Sequence, residues 1–82
     1  MTLEHASRAT GISIADITGP CRVRHLCWTR YAVMEAMRAK GLSLGTIGRL
    51  LKRDHSTVLL GLRQAEKLRG RADFESIRSA IA

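Results

Sequence analysis

No stretch of this sequence is apolar for anything near the roughly 18 residues that cross a bilayer. Glu4 and His5, so close to the start, break any signal-peptide pattern. Neither a membrane span nor a secretory leader is expected. Aromatic side chains are scarce, Trp28, Tyr31 and Phe74 being all there are. Tyr31 and Phe74 are expected in the core, and Trp28 reads as packing a basic loop onto the long helix, before the alternative of resting against a sugar-phosphate strand. Few platforms are left for the stacking of unpaired bases. The single proline, Pro20, with plentiful Ala, Leu and Arg, favours helices over strands. Two cysteines, Cys21 and Cys27, make no disulfide framework. With His25 they lack paired Cys-x-x-Cys spacing and a fourth ligand, so no metal site is expected. Among His5, His25, His55, Cys21 and Cys27 no nucleophile and general base are paired at the level of sequence. A Gly-x-x-x-x-Gly-Lys-(Ser/Thr) phosphate loop is also absent. An enzyme, a cofactor and a small-molecule substrate are therefore not expected.

What the chain has in excess is positive charge. Its 82 residues, enough for one small domain with a modest core, carry a formal net charge of +7 with 45% hydrophobic content. From Pro20 to Arg71 there are twelve Lys and Arg against three acids (Glu35, Asp54, Glu66), a local net of +9. The flanks carry Arg8 and Arg78 against four acids, a net of −2. A basic middle of this strength points to a polyanionic partner, nucleic acid before others, and to the cytoplasm and nucleoid as location.

Helical spacing organises the whole chain. A first helix is predicted over about Leu3 to Thr10, stopped at Gly11. Ser13 is placed to cap a short second helix with Asp16 three residues on, ending at Gly19-Pro20. Pro20 to His25 reads as an extended basic loop. The longest helix should run from about Leu26 to Lys40, with Tyr31, Val33, Met34, Ala36 and Met37 inward and Arg30, Glu35 and Arg38 elsewhere. Ser43 caps the next, which carries Leu44, Ile47, Leu50 and Leu51. A turn at Lys52-Arg53 leads to a helix over about Asp54 to Leu68, with Val58, Leu62 and Ala65 inward and Leu59 beside them. Ala72 to Ile81 forms a last amphipathic helix through Phe74, Ile77 and Ile81. The fold class is all-α, five to six helices in one domain over residues 1–82.

Ile47, Gly48, Leu51 and Val58 have the spacing of a helix-turn-helix, spanning about residues 43–68. Gly48 offers no side chain where the second helix crosses closely. If Val58, Leu62 and Ala65 point inward, then Arg53, His55, Ser56, Thr57 and Arg63 are biased outward. The first turn of such a helix can read base edges in a major groove, and its amide dipoles attract phosphate. Arg53 can fork onto guanine or hold a phosphate. Asp54 can cap the helix and accept from cytosine, and His55 can meet a base edge or a thymine methyl. Ser56 and Thr57 can bond phosphate. The same letters also make an ordinary helix cap.

The run from Leu42 to Leu51 (Leu-Ser-Leu-Gly-Thr-Ile-Gly-Arg-Leu-Leu) followed by Lys52-Arg53-Asp54-His55-Ser56-Thr57-Val58-Leu59 resembles the C-terminal duplex-binding domain of the bacterial replication initiator DnaA. That family's signature is Ser-Leu-x-x-Ile-Gly, a short Gly-containing turn, then Arg-Asp-His-(Ser/Thr)-Thr-Val. The resemblance extends over about Ile12 to Leu68. It implies the initiator's domain IV fold, a Trp-repressor-like arrangement. It also implies base reading in the major groove by Asp54, His55 and Ser56, a phosphate contact from Thr57, and a minor-groove arginine, Arg22 or Arg24, from the basic loop. Lys52 stands where the family's turn has Gly, and Trp28-Thr29-Arg30 where it has Arg-Pro-Arg. Without the initiator's ATPase module, and with its own Met1, the chain reads as a stand-alone bacterial or phage module.

The expected function is sequence-specific binding of double-stranded DNA, in replication initiation or its regulation, with Arg49, Lys52 and their basic neighbours holding phosphates. A monomer is preferred, and other replication or regulatory proteins are conceivable partners. The alternatives are a small transcriptional regulator with the same fold, or a basic helical module for RNA or protein.

Overall fold

The computed structural model describes residues 2–82, and six helices follow one another among them. They are α1 (Leu3–Thr10), α2 (Ile14–Thr18), α3 (Arg24–Ala39), α4 (Leu44–Leu51), α5 (His55–Leu68) and α6 (Ala72–Ile81). The caps fall where short polar side chains were available. Thr2 accepts from the His5 amide at 3.1 Å and Ser13 from that of Asp16 at 3.1 Å. Ser43 accepts from the Thr46 amide at 3.2 Å. Each satisfies an amide that the helix itself cannot.

Helix α3 begins two residues earlier than its pattern suggests, so the extended segment is Gly19–Val23 and Arg24 and His25 belong to the first turn. Val23 offers no side-chain cap. What extends the helix backwards is one turn on: the Arg24 guanidinium lies 4.2 Å from the centre of the Trp28 ring. That i,i+4 cation–π contact forms only if residues 24 to 28 are helical.

The core is continuous through the domain. Ala6, Ile17, Val33, Met34, Met37, Ile47, Leu51, Val58, Ala65, Phe74, Ile77 and Ile81 are all buried. Helix α3 lies at the centre, with α5 and α6 packed along it, α2 and α4 against its flanks, and α1 closing on α2 and α6. Where α5 crosses α3 the contact residue is Gly61, and a methyl group there would collide with the Met34 sulfur. The inward stripe of α5 is thus Val58, Gly61 and Ala65, with Leu62 half-buried, while Leu59 is 40% exposed rather than packed beside them. Glu35 on α3 accepts from Arg78 at 2.8 Å and Arg69 at 3.1 Å, and Arg78 also pairs with Glu75 at 2.7 Å. The Glu35 hydrogen bond holds Arg78 above the usual arginine pKa. These pairs gather carboxylates on the α3–α6 side. No helix is long and apolar enough to cross a membrane among the described residues.

Candidate nucleic-acid interface

Three residues, Lys52, Arg53 and Asp54, separate α4 from α5. The turn is this tight because the Arg53 amide donates to the Gly48 carbonyl at 2.8 Å. Gly48 is buried, and a Cβ built on it would strike the Arg53 carbonyl oxygen. The glycine therefore admits the turn itself more than the helix behind it. Lys52 sits at φ 57°, ψ 45°, the one non-glycine residue with positive φ among those described. Lysine here adopts the left-handed conformation that glycine usually supplies, at a cost of about 1–2 kcal/mol.

Asp54 caps α5, its Oδ1 accepting from the Thr57 amide at 2.7 Å. That amide first, then the Thr57 hydroxyl, holds the Asp54 carboxyl below the usual carboxylate pKa. Because the folded-state value is depressed, the cap stabilises the protein above the ordinary value of about 3.9 and is lost as pH falls through the lowered one. A carboxyl titration by NMR should place Asp54 below about 3.9, with Thr57 amide protection lost only on further acidification. A midpoint at or above the ordinary value would contradict the cap. Val58, fully buried, pins the helix to the core, while His55, Ser56 and Thr57 stand exposed on its first turn. Cap and outward face coexist in one turn.

Arg53 does not face outward, which corrects the expectation from the sequence. Its guanidinium turns back and donates to the carbonyls of Thr18 at 3.2 Å and Gly19 at 2.6 Å, and to those of Leu51 and Lys52. Burial, and then the charge of Arg30, lower its pKa from the ordinary value. Both terminal nitrogens are thus engaged with backbone carbonyls of the chain itself.

The two loop arginines separate clearly. Arg24 stacks on Trp28 and lies 3.9 Å from Asp73, on the side of α6. Arg22 lines an open groove of about 610 Å³ whose wall includes Pro20, Lys52, Arg53, Thr57 and Leu60 and whose floor includes Arg30, Tyr31 and Met34. No carboxylate lines it among the described residues. Burial raises the Tyr31 phenol, which stays protonated at neutral pH. Arg49 is exposed at the end of α4. Arg22, Lys52 and Thr57 are therefore brought together. Arg49 stands outside that groove, and Arg24 points elsewhere.

Trp28 packs, but against α6 rather than between the basic loop and the long helix: it stands at 85° to Phe74 with centroids 6.0 Å apart, and Arg71 lies 5.3 Å from its ring besides Arg24. It is partly buried and packs against the core. Cys21 is exposed, and the Cys27 sulfur lies 3.9 Å from an Arg30 nitrogen.

Arg30 also departs from its expected place. It is 4% exposed, and its guanidinium donates to Ile17 O at 2.8 Å, Asp16 O at 2.8 Å and Cys21 O at 2.6 Å. A signal for this was present. Arg30, Val33, Met34 and Met37 stand at i, i+3, i+4 and i+7, the spacing of one helix face. Charge alone argued for placing it outside.

A family model described as the bacterial DnaA protein helix-turn-helix matches residues 3–64. The match starts in α1, earlier than Ile12, and ends within α5, leaving α6 beyond it. No curated protein matches the chain.

Proposed function

Since the chain belongs to the DnaA C-terminal helix-turn-helix family, we propose that it binds double-stranded DNA sequence-specifically, with the first turn of α5 in the major groove. Asp54, His55 and Ser56 read base edges there, and Thr57 meets a phosphate. Arg22 rather than Arg24 enters the adjacent minor groove from the Gly19–Val23 segment. Lys52 and Arg49 hold phosphates, and the site of action is the nucleoid, in replication initiation or its control. The observation that supports this most is the exposed, capped first turn of α5 beside a basic groove lined by no carboxylate. Such a groove attracts a phosphate strand and releases its counterions, which makes affinity fall with salt. Exposed hydroxyls, an imidazole and a carboxylate add base discrimination that charge alone lacks.

Selection of bound duplexes from a random pool tests the reading. Enrichment of a short asymmetric motif is expected. Absence of any motif, with affinity set by salt alone, would leave only non-specific charge. Lys52→Gly separates phosphate contact from folding. Relief of the left-handed lysine should raise stability by up to about 1 kcal/mol. Loss of the ammonium should weaken binding to selected and random duplexes alike. A variant both less stable and selectively impaired on the motif would contradict these roles.

A further inference from the structure

Five of the six residues from Asp16 to Cys21 have their carbonyls held by just two guanidiniums. Arg30 of α3 takes Asp16, Ile17 and Cys21, and Arg53 takes Thr18 and Gly19. This segment runs directly into Arg22. Beyond it, Arg22 and Val23 are exposed, and the Val23 carbonyl accepts from the Cys27 amide in the first turn of α3. The position of Arg22 is accordingly fixed from its upstream side.

Arg53 bridges two segments. Its Nη1 donates to Thr18 and also to Leu51 and Lys52 in the turn that leads to Asp54, while its Nη2 donates to Gly19. No carboxylate partners either guanidinium among the described residues, so carbonyl dipoles, with the Cys27 sulfur 3.9 Å from Arg30, compensate them. A planar fork suits this task, because several carbonyls are held at once in fixed geometry. We infer that Arg53, seated beside Arg30, is a positioning residue that couples the Arg22 loop to the first turn of α5, so that the register of one DNA-reading element sets that of the other. The inference rests on the duplex-binding reading above and deepens it. It assigns the arginine that opens the Arg-Asp-His signature a role away from the bases.

Coupling of this kind has a signature that loss of stability lacks. The Arg22→Ala, Arg53→Ala and Arg53→Lys variants, and the Arg22→Ala/Arg53→Ala double variant, are each put through duplex selection. Affinities are then measured on the wild-type motif and on random duplex, at a temperature where melting curves show each variant folded. Arg53→Ala should erase preference at the same end of the motif as Arg22→Ala and lower affinity for the motif about tenfold, with random duplex little changed. The double variant should be no weaker than Arg22→Ala by more than about twofold, because the two losses are one. Arg53→Lys keeps the charge without the fork and should behave as Arg53→Ala. If Arg53→Ala does not stay folded, Arg53→Lys carries the same comparison, paired with Arg22→Ala.

Losses that multiply in the double variant would overturn the coupling. So would a loss confined to the end read by His55, or full activity in Arg53→Lys. A motif left intact by Arg22→Ala would instead remove the minor-groove assignment itself, and the coupling with it.

Discussion

Phe74→Ala should lower folding stability by about 3–5 kcal/mol. The ring is fully buried among α1, α3 and α6 and supports the edge of Trp28 at 6.0 Å. Removing it leaves a cavity that the flanking helices cannot close without losing Ile77 and Ile81 from their places. In a domain whose whole stability is on the order of 5–10 kcal/mol, a large part of the protein would be unfolded at moderate temperature. The site of this loss is informative, since α6 lies outside the family match at residues 3–64. Helix α6 is thus expected to be an integral part of the fold, its end tied to α1 by the His5 Nε2 contact with the Ile81 carbonyl at 2.9 Å. Denaturant titration provides the measurement. A change under about 1 kcal/mol would mean that α6 is dispensable.

Gly48→Ala should be nearly as damaging, by about 2–3 kcal/mol net. Alanine is the better helix former by about 1 kcal/mol, so propensity alone predicts the opposite sign. Sterics decide against it: the new methyl would occupy the place of the Arg53 carbonyl oxygen, and backbone cannot rotate aside as a side chain can. Moving the turn would stretch the 2.8 Å bond from the Arg53 amide to Gly48 and disturb the Asp54 cap that follows. Stability and specific DNA binding should fall together. A stabilised variant with unchanged DNA selectivity would show that the turn is not packed this closely.

The parts of this molecule legible in its sequence are those governed by neighbours close along the chain. Ser13, Ser43 and Asp54 cap their helices because a hydroxyl or carboxylate needs only to reach an amide three residues on. Val58 is inward and His55 to Thr57 are outward because helical spacing settles both at once. Arg53 defied local reading because its partners Thr18 and Gly19 lie 35 and 34 residues away. Its isolated letter carries no sign of them. Arg24 mixes the two kinds of information, since Trp28 lies one helical turn on while Asp73, which also draws it to the side of α6, is distant in the chain. Arg30 differs from these. Its register placed it on the inner face, and only the presumption that charge belongs outside hid it, although carbonyl groups can satisfy a buried guanidinium.

Reading of bases by the first turn of α5 is the centre of this account, and His55→Ala tests it most directly. The side chain is exposed and caps nothing, so its removal should leave folding intact. Binding of the variant is compared with wild type on the selected motif and on random duplex at one salt concentration. The expected loss is about 1–3 kcal/mol on the motif with little change on random DNA. Equal loss on both would contradict the account and reduce α5 to a phosphate-holding helix.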